Sequence, residues 1–244
     1  MFTIALIVGV ALVIGVVASQ LADRIGVPAL VLFIGAGMIL GSDISGWIYF
    51  DNAVAAQLIG TIALVEILFQ GGLETEWKHV RKVIVPSSIL ATIGVILTSG
   101  LTAIIAWWAL GIDWKLALLI GSIVGSTDAA ATFAVIGTSD LRARLKYTLE
   151  AESGLNDPMA IFLTTMMIAW ITAEPPTVLS AVGFLVWQMG LGVAGGLAAG
   201  WIMKKLMPRI RFQAAGLYPI LLTGVAFTIF AIVSLLGGSG YLAV

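Results

Sequence analysis

Cysteine is absent from the 244-residue sequence, which excludes disulfides, thiolate metal sites and cysteine nucleophiles together and leaves the redox compartment open. Histidine occurs once, as His79, so a His-rich metal centre cannot be assembled. Charge is scarce as well: 10% of the residues are Asp, Glu, Lys or Arg, against about 25% in an ordinary soluble domain. With a formal net charge of −1 there is no broad basic surface, and nucleic acid is excluded as a partner. What the chain has instead is apolar residues, 60% of the total at a mean hydropathy of +1.11. They form long runs throughout, so no part reads as a soluble domain and membrane lipid is the expected surrounding. The first run lacks a positively charged leader region and a small-residue cleavage site followed by a soluble chain, and it is expected to be retained as a span.

A run of about 20 apolar residues crosses a hydrocarbon core of about 30 Å at 1.5 Å of rise per residue. Eight segments qualify, at approximately 2–21, 27–41, 53–73, 83–110, 116–137, 147–172, 178–203 and 217–237. They predict an all-α membrane protein with about eight transmembrane helices in one domain over 1–244. The second segment is short and contains Pro28, so an irregular helix is expected there. Another apolar stretch opens at Tyr241, and the domain is expected to be truncated at its C-terminal end.

The Lys and Arg residues check this assignment, because all 12 lie between spans. Arg24, Lys78, Arg81, Lys82, Arg142, Arg144, Lys146, Lys204, Lys205, Arg209 and Arg211 fall in alternate loops, and Lys115 alone falls in the others. Short loops rich in Lys and Arg stay cytoplasmic, so the N-terminus is expected outside and the protein in the cell's inner membrane. A miscount by one span would have scrambled the asymmetry. Trp47, Tyr49, Trp107, Trp108, Trp114 and Trp170 sit near the outer span ends and Trp77, Tyr147, Trp201 and Tyr218 near the inner ones, as interfacial belts do. Trp187 lies at mid-depth and is read as packing. Gly192, Gly196 and Gly200 recur every four residues, a smooth stripe for close approach within the bundle or at a dimer contact.

Acidic residues inside a span cost about 2.5–3.5 kcal/mol on insertion scales, so each needs a reason. Asp128 lies about 18 Å into the fifth span and Asp157 about 15 Å into the sixth, from the opposite side, at helical rise. Both are expected near the midplane. Gly121, Ser122, Gly125, Ser126 and Thr127 precede Asp128 where a lipid-facing helix would carry Leu and Ile, so a broken helix is expected there, with freed carbonyls available to a cation. Glu150, Glu152, Ser153, Asn156 and Asp157 crowd into two turns. Ser153 and Asp157, four apart, share a face and can bring oxygens to one ion. Pro158 cannot bond to the Gly154 carbonyl, which is left to turn inward. A purely structural pair of aspartates is the plainer alternative, and Glu150, nearer the surface, is read that way. Glu66 and Gln70, also four apart, are either a third polar lining or, for Glu66, the partner of an arginine elsewhere. The acidic and basic residues between Glu74 and Lys82 read as a solvated loop.

At these residues the chain resembles the cation:proton antiporter superfamily, in its NhaP-like sodium/proton and potassium/proton branch. The motifs that carry the resemblance are Leu68-Phe-Gln-Gly-Gly-Leu-Glu74, Gly125-Ser-Thr-Asp-Ala-Ala130 and Glu150-Ala-Glu-Ser-Gly-Leu-Asn-Asp-Pro158. The likeness runs the length of the chain, to Gly237-Gly-Ser-Gly-Tyr-Leu-Ala-Val244. It implies that Asp157 exchanges a proton for the cation, that Asp128 and the Thr127 carbonyl coordinate the ion, that Ser153 assists, and that Asn156 orients the site. It implies an arginine partner, from a late span, for Glu152. Gln70 departs from the pattern, since relatives often have an acid there, unless Glu66 substitutes. The family's fold is built from two inverted repeats. The chain is expected to hold the first repeat and about two further spans, to be inactive alone, and to form a homodimer in its complete form.

The expected function is therefore secondary active antiport of a monovalent cation, Na+ or K+, against protons, in pH and cation homeostasis. The protein is expected to be a transporter rather than an enzyme and to use no cofactor. A carboxylate in low dielectric holds either a proton or a cation, and exchange follows from shared occupancy. Asn156 in place of a second carboxylate predicts one proton per cation. Two rivals remain: a cation channel or non-transporting scaffold, and an intramembrane aspartyl protease. The protease's Tyr-Asp and Gly-x-Gly-Asp signatures are missing, since Asp128 follows Thr127 and Asp157 follows Asn156.

Overall fold

The computed structural model describes residues 2–244 except 26, 28, 43, 47, 48, 129–141, 173–176, 213 and 215. Pro28, Trp47, Ala130 and the part of the expected fifth span beyond residue 128 lie outside the described residues. Within them the fold is helical. In order come α1 (Phe2–Ile25), α2 (Ala29–Leu40), α3 (Ala53–Glu74), α4 (Trp77–Val80), α5 (Ile84–Ile89), a π-helical turn (Leu90–Gly94), α6 (Val95–Leu110), α7 (Trp114–Val124), α8 (Ala143–Thr172), α9 (Val178–Leu206), a 3-10 turn (Met207–Arg209), α10 (Leu217–Leu235) and α11 (Gly240–Ala243).

Among the described residues five helical segments are long and apolar enough to cross a membrane: Ala53–Leu73, Ile84–Leu110, Ala143–Thr172, Leu179–Arg209 and Leu217–Leu235. Three shorter apolar helices, Val13–Ala22, Ala29–Leu40 and Trp114–Val124, fall in the other three expected segments. The protein is thus a multi-pass membrane protein, with five of the eight expected crossings supported by length and composition. At most 28% of any of the five windows is buried. Their apolar side chains therefore face outward, a surface that water would not tolerate and that lipid or further protein must cover.

The chain divides into two compact units. The first comprises Met1–Ala56 and Asp128–Arg142. In it α1 packs on α2, Ala22 is buried, and the Val27 amide donates to the Ala22 carbonyl at 3.3 Å to close the end of α1. Helix α1 runs beyond the expected boundary at 21 and ends with Arg24 in its last turn, where a cation suits the helix dipole.

The second unit comprises Gln57–Thr127 and Ala143–Val244. Its closest pair is α6 and α7, joined through Ala103, Ala106 and Ala117. A Cβ at Gly121 would collide with the Ser99 carbonyl oxygen, and one at Gly125 with the Ser99 hydroxyl, so only glycine permits this approach. Helix α7 starts at Asp113, whose carboxylate accepts from the Lys115 amide at 2.9 Å. Helix α8 packs on α5, the π-turn and α7, with Val95, Met159 and Phe162 as its core.

The expected fourth span differs from a plain α-helix by the π-turn at Leu90–Gly94. The buried residues Ser87, Ala91, Val95, Ser99 and Ala103 recur every four positions. In an α-helix such a row drifts by about 40° per step, and the wider π-turn returns it toward the same neighbours. Ser87 is thereby held on α8, its hydroxyl donating to the Thr148 carbonyl at 2.9 Å.

The glycine stripe on α9 packs inside the unit. A Cβ at Gly192 would lie 2.8 Å from the Ser239 carbonyl oxygen and one at Gly196 the same distance from that of Ala243, whereas Gly200 has open space. The stripe thus seats the C-terminal segment that follows the left-handed Gly237 (φ 79°).

Candidate functional site

The site begins where α7 stops. A helix end leaves its last carbonyls without intrahelical partners, and residues 125–128 continue non-helically. Helix α7 thus ends before Asp128, where the break is expected, and the residues directly beyond 128 lie outside the described ones. Hydrogen bonds from two helices hold residues 125–127 within the second unit. On one side Thr98 Oγ1 donates to the Gly125 carbonyl at 3.0 Å, in competition with carbonyls of its own helix. On the other side α8 presents Glu152, Ser153, Asn156 and Asp157.

Those four residues occupy helical positions i, i+1, i+4 and i+5, two adjacent rows on one face. Asn156 is fully buried and spends both amide hydrogens on Thr127, at 2.9 Å to its carbonyl and 2.8 Å to its hydroxyl. Thr127 Oγ1 in turn donates to Glu152 Oε1 at 2.8 Å. Ser153 Oγ reaches the Thr127 carbonyl only at 3.4 Å. Ser126 Oγ donates to Asp157 Oδ1 at 2.7 Å. The result is a ladder from α8 to the broken segment in which each donor meets an oxygen. Asn156 Oδ1, directed away from Thr127, is buried without a hydrogen-bond partner among the described residues.

Pro158 lies inside α8, which continues through it to Thr172. Buried directly after the site, it leaves the helix one amide donor short at the turn that carries Asp157. A cavity of about 360 Å³ opens beside Asp157, lined by Ser126 and Ile123 on one side, Leu64 of α3 on another, and Ala160, Ile161, Thr164 and Thr165 along α8. Its volume exceeds that of several waters at about 30 Å³ each.

The structure brings together Thr127, Glu152, Ser153, Asn156 and Asp157. Asp128 follows Thr127 in the chain, is exposed, and belongs to the first unit. Glu66 is half-buried in α3 and has no hydrogen bond or ion pair among the described residues, and Gln70 of the same helix is exposed. Glu150 pairs with Lys146 at 3.7 Å one turn away, the surface role expected of it. Near the same end of α8, His79 stacks on Tyr147 with ring centroids 4.3 Å apart.

Sequence reasoning missed four residues. Ser126 was passed over for its neighbour Thr127, and Thr98, 27 positions from Gly125, carried no local signal. Thr164 and Thr165 did carry one, since they lie seven and eight positions after Asp157 on its helical face.

A family model described as "Sodium/hydrogen exchanger, transmembrane" matches residues 8–244. The chain is 42% identical over 234 residues to the K(+)/H(+) antiporter NhaP2 of Shewanella oneidensis, covering 95% of this chain and 40% of that protein. To the probable Na(+)/H(+) antiporter 2 of Methanocaldococcus jannaschii it is 31% identical, covering 82% of this chain and 47% of the relative. The electron-microscopy structure of the sodium proton antiporter MjNhaP1 from the same archaeon matches the whole chain at a TM-score of 0.77 and 25% identity, over 59% of its own length. The chain spans less than half the length of these curated relatives.

Proposed function

Because the chain belongs to the sodium/hydrogen exchanger, transmembrane family, whose members are transporters and not enzymes, we propose that it forms part of an antiporter exchanging a monovalent cation, K+ or Na+, for protons. Relatives named for each ion support that pair of substrates. The observation that carries the reading is Asp157. It is a half-buried carboxylate inside an apolar helix, held by a hydroxyl at 2.7 Å, beside an open groove that Ser126, Thr164 and Thr165 also line.

In this proposal a proton and a cation occupy the Asp157 carboxylate in turn. Asp128 and the Thr127 carbonyl add oxygens to the ion, with Ser153 at the margin. Asn156 holds the Thr127 backbone in place, and Glu152 terminates the ladder. Exchange follows when the occupied site faces one side of the membrane and then the other, by movement of one bundle against another. The Lys and Arg asymmetry supports an N-terminus outside and basic loops in the cytoplasm of a cell whose inner membrane houses the protein. A homodimer belongs to the same proposal through the family resemblance, and the mass of the detergent-solubilised particle tests it.

The test is cation-driven proton movement in everted vesicles containing the protein as its gene encodes it. Wild type is expected to move protons on addition of K+ or Na+, and Asp157→Asn to abolish this at undiminished membrane abundance. Retained exchange in the variant refutes the reading, and cation flux without proton movement favours a channel. Since Asn156 supplies no second titrating group, one proton is expected per cation. Reconstituted protein whose turnover builds a membrane potential refutes that stoichiometry.

A further inference from the structure

We propose that Ser126, rather than Thr127, supplies the hydroxyl ligand to the cation at Asp157. The inference rests on the antiport reading and adds a residue to its site.

Ser126 and Thr127 are adjacent in a non-helical stretch, so helical spacing does not decide which of them faces Asp157. The hydrogen bonds do. The Thr127 hydroxyl is already engaged, accepting from Asn156 and donating to Glu152. The Ser126 hydroxyl is turned the other way and donates to Asp157 Oδ1 at 2.7 Å.

The cavity separates the two residues again. Among its described lining are Ser126 and Asp157, but not Thr127, Ser153 or Asn156. An ion arriving through this space, past the hydroxyl-bearing Thr164 and Thr165, meets the serine and the carboxylate together. A serine hydroxyl has one proton and two lone pairs. While its proton stays on Oδ1, a lone pair remains for the ion, so binding requires no rearrangement of the pair. An uncharged oxygen beside a carboxylate is the donor chemistry that hard cations take.

The serine is also held in place from both flanks. Gly125 before it is tied to Thr98 and Thr127 after it is tied to Asn156. Pinned at each neighbour, the Ser126 side chain has little freedom to leave Asp157, and a preorganised ligand binds without a further ordering cost.

The experiment measures the half-saturating K+ and Na+ concentrations and the saturated rate in everted vesicles, for wild type, Ser126→Ala, Ser126→Cys and Ser126→Thr, with Asp157→Asn alongside. Ser126→Ala is expected to raise half-saturation by roughly tenfold, the scale on which losing a supporting group weakens a metal site, with the saturated rate retained. Ser126→Thr keeps the oxygen and is expected to stay near wild type. Ser126→Cys keeps the shape but offers a soft sulfur, so it is expected to follow Ser126→Ala, and it decides the matter if the alanine variant fails to accumulate. Unchanged half-saturation in both Ser126→Ala and Ser126→Cys overturns the inference, as does a fall in saturated rate alone. Should wild type show no exchange, or Asp157→Asn retain it, the antiport reading fails and takes the inference with it. Exchange lost in Asp157→Asn but unaltered by Ser126→Ala and Ser126→Cys defeats the inference by itself.

Discussion

Asn156 makes two part-buried hydrogen bonds to Thr127 at 2.8 and 2.9 Å, whereas Ser153 reaches the Thr127 carbonyl only at 3.4 Å. A typical intramolecular hydrogen bond contributes about 0.5–1.5 kcal/mol net. Asn156→Ala removes two such bonds and is therefore expected to destabilise by about 1–3 kcal/mol, partly offset because its Oδ1, without a partner among the described residues, disappears too. Ser153→Ala is expected to cost less than Asn156→Ala. Thermal unfolding of the purified protein in detergent checks the order, and an equal loss for both variants would contradict the ladder. The residue types of this site were legible in the sequence, because a carboxylate, an amide and hydroxyls within an apolar helix have no other ready explanation. Which oxygen each one meets was not legible. Ser126 and Thr127 have the same chemistry, and a break in the helix removes the periodicity that would tell them apart.

At the scale of elements, glycines set how closely helices approach. A Cβ at Gly196 would stand 2.8 Å from the backbone oxygen of Ala243, which has no flexible side chain to give way, while a Cβ at Gly200 meets nothing. Gly196→Ala is expected to cost about 1–3 kcal/mol by overpacking and to lower membrane abundance. Gly200→Ala is expected to leave abundance unchanged. Quantitative immunoblotting of membranes distinguishes them, and equal abundance of the two variants would show that the stripe does not seat the C-terminal segment. The four-residue recurrence showed a smooth face but not its occupant, because a helix displays the same stripe whether the approaching backbone belongs to its own chain or another. The π-turn was invisible for a related reason. A long apolar run announces a span, but the register between its two ends depends on which residues must stay against neighbouring helices.

For the whole molecule, the absence of cysteine from these 244 residues lets cysteines introduced among them report orientation. Single cysteines at Asp51 and Arg211, both exposed, mark loops expected on opposite sides. A membrane-impermeant maleimide is expected to label Asp51→Cys in intact spheroplasts and Arg211→Cys only in everted vesicles. The reverse pattern would overturn the proposed orientation. The sequence by itself determined that the chain lives in lipid, where its apolar segments fall, and which acids are out of place there. Those features follow from composition along the chain, through the cost of exposing apolar surface to water and of burying charge in hydrocarbon. Tertiary structure alone decided that Thr98 and Asn156 clamp the segment between Gly125 and Thr127, and that Ser126 rather than Thr127 meets Asp157. These are contacts between residues 27 to 31 positions apart, and only the packing of one helix against another fixes the distance between their atoms.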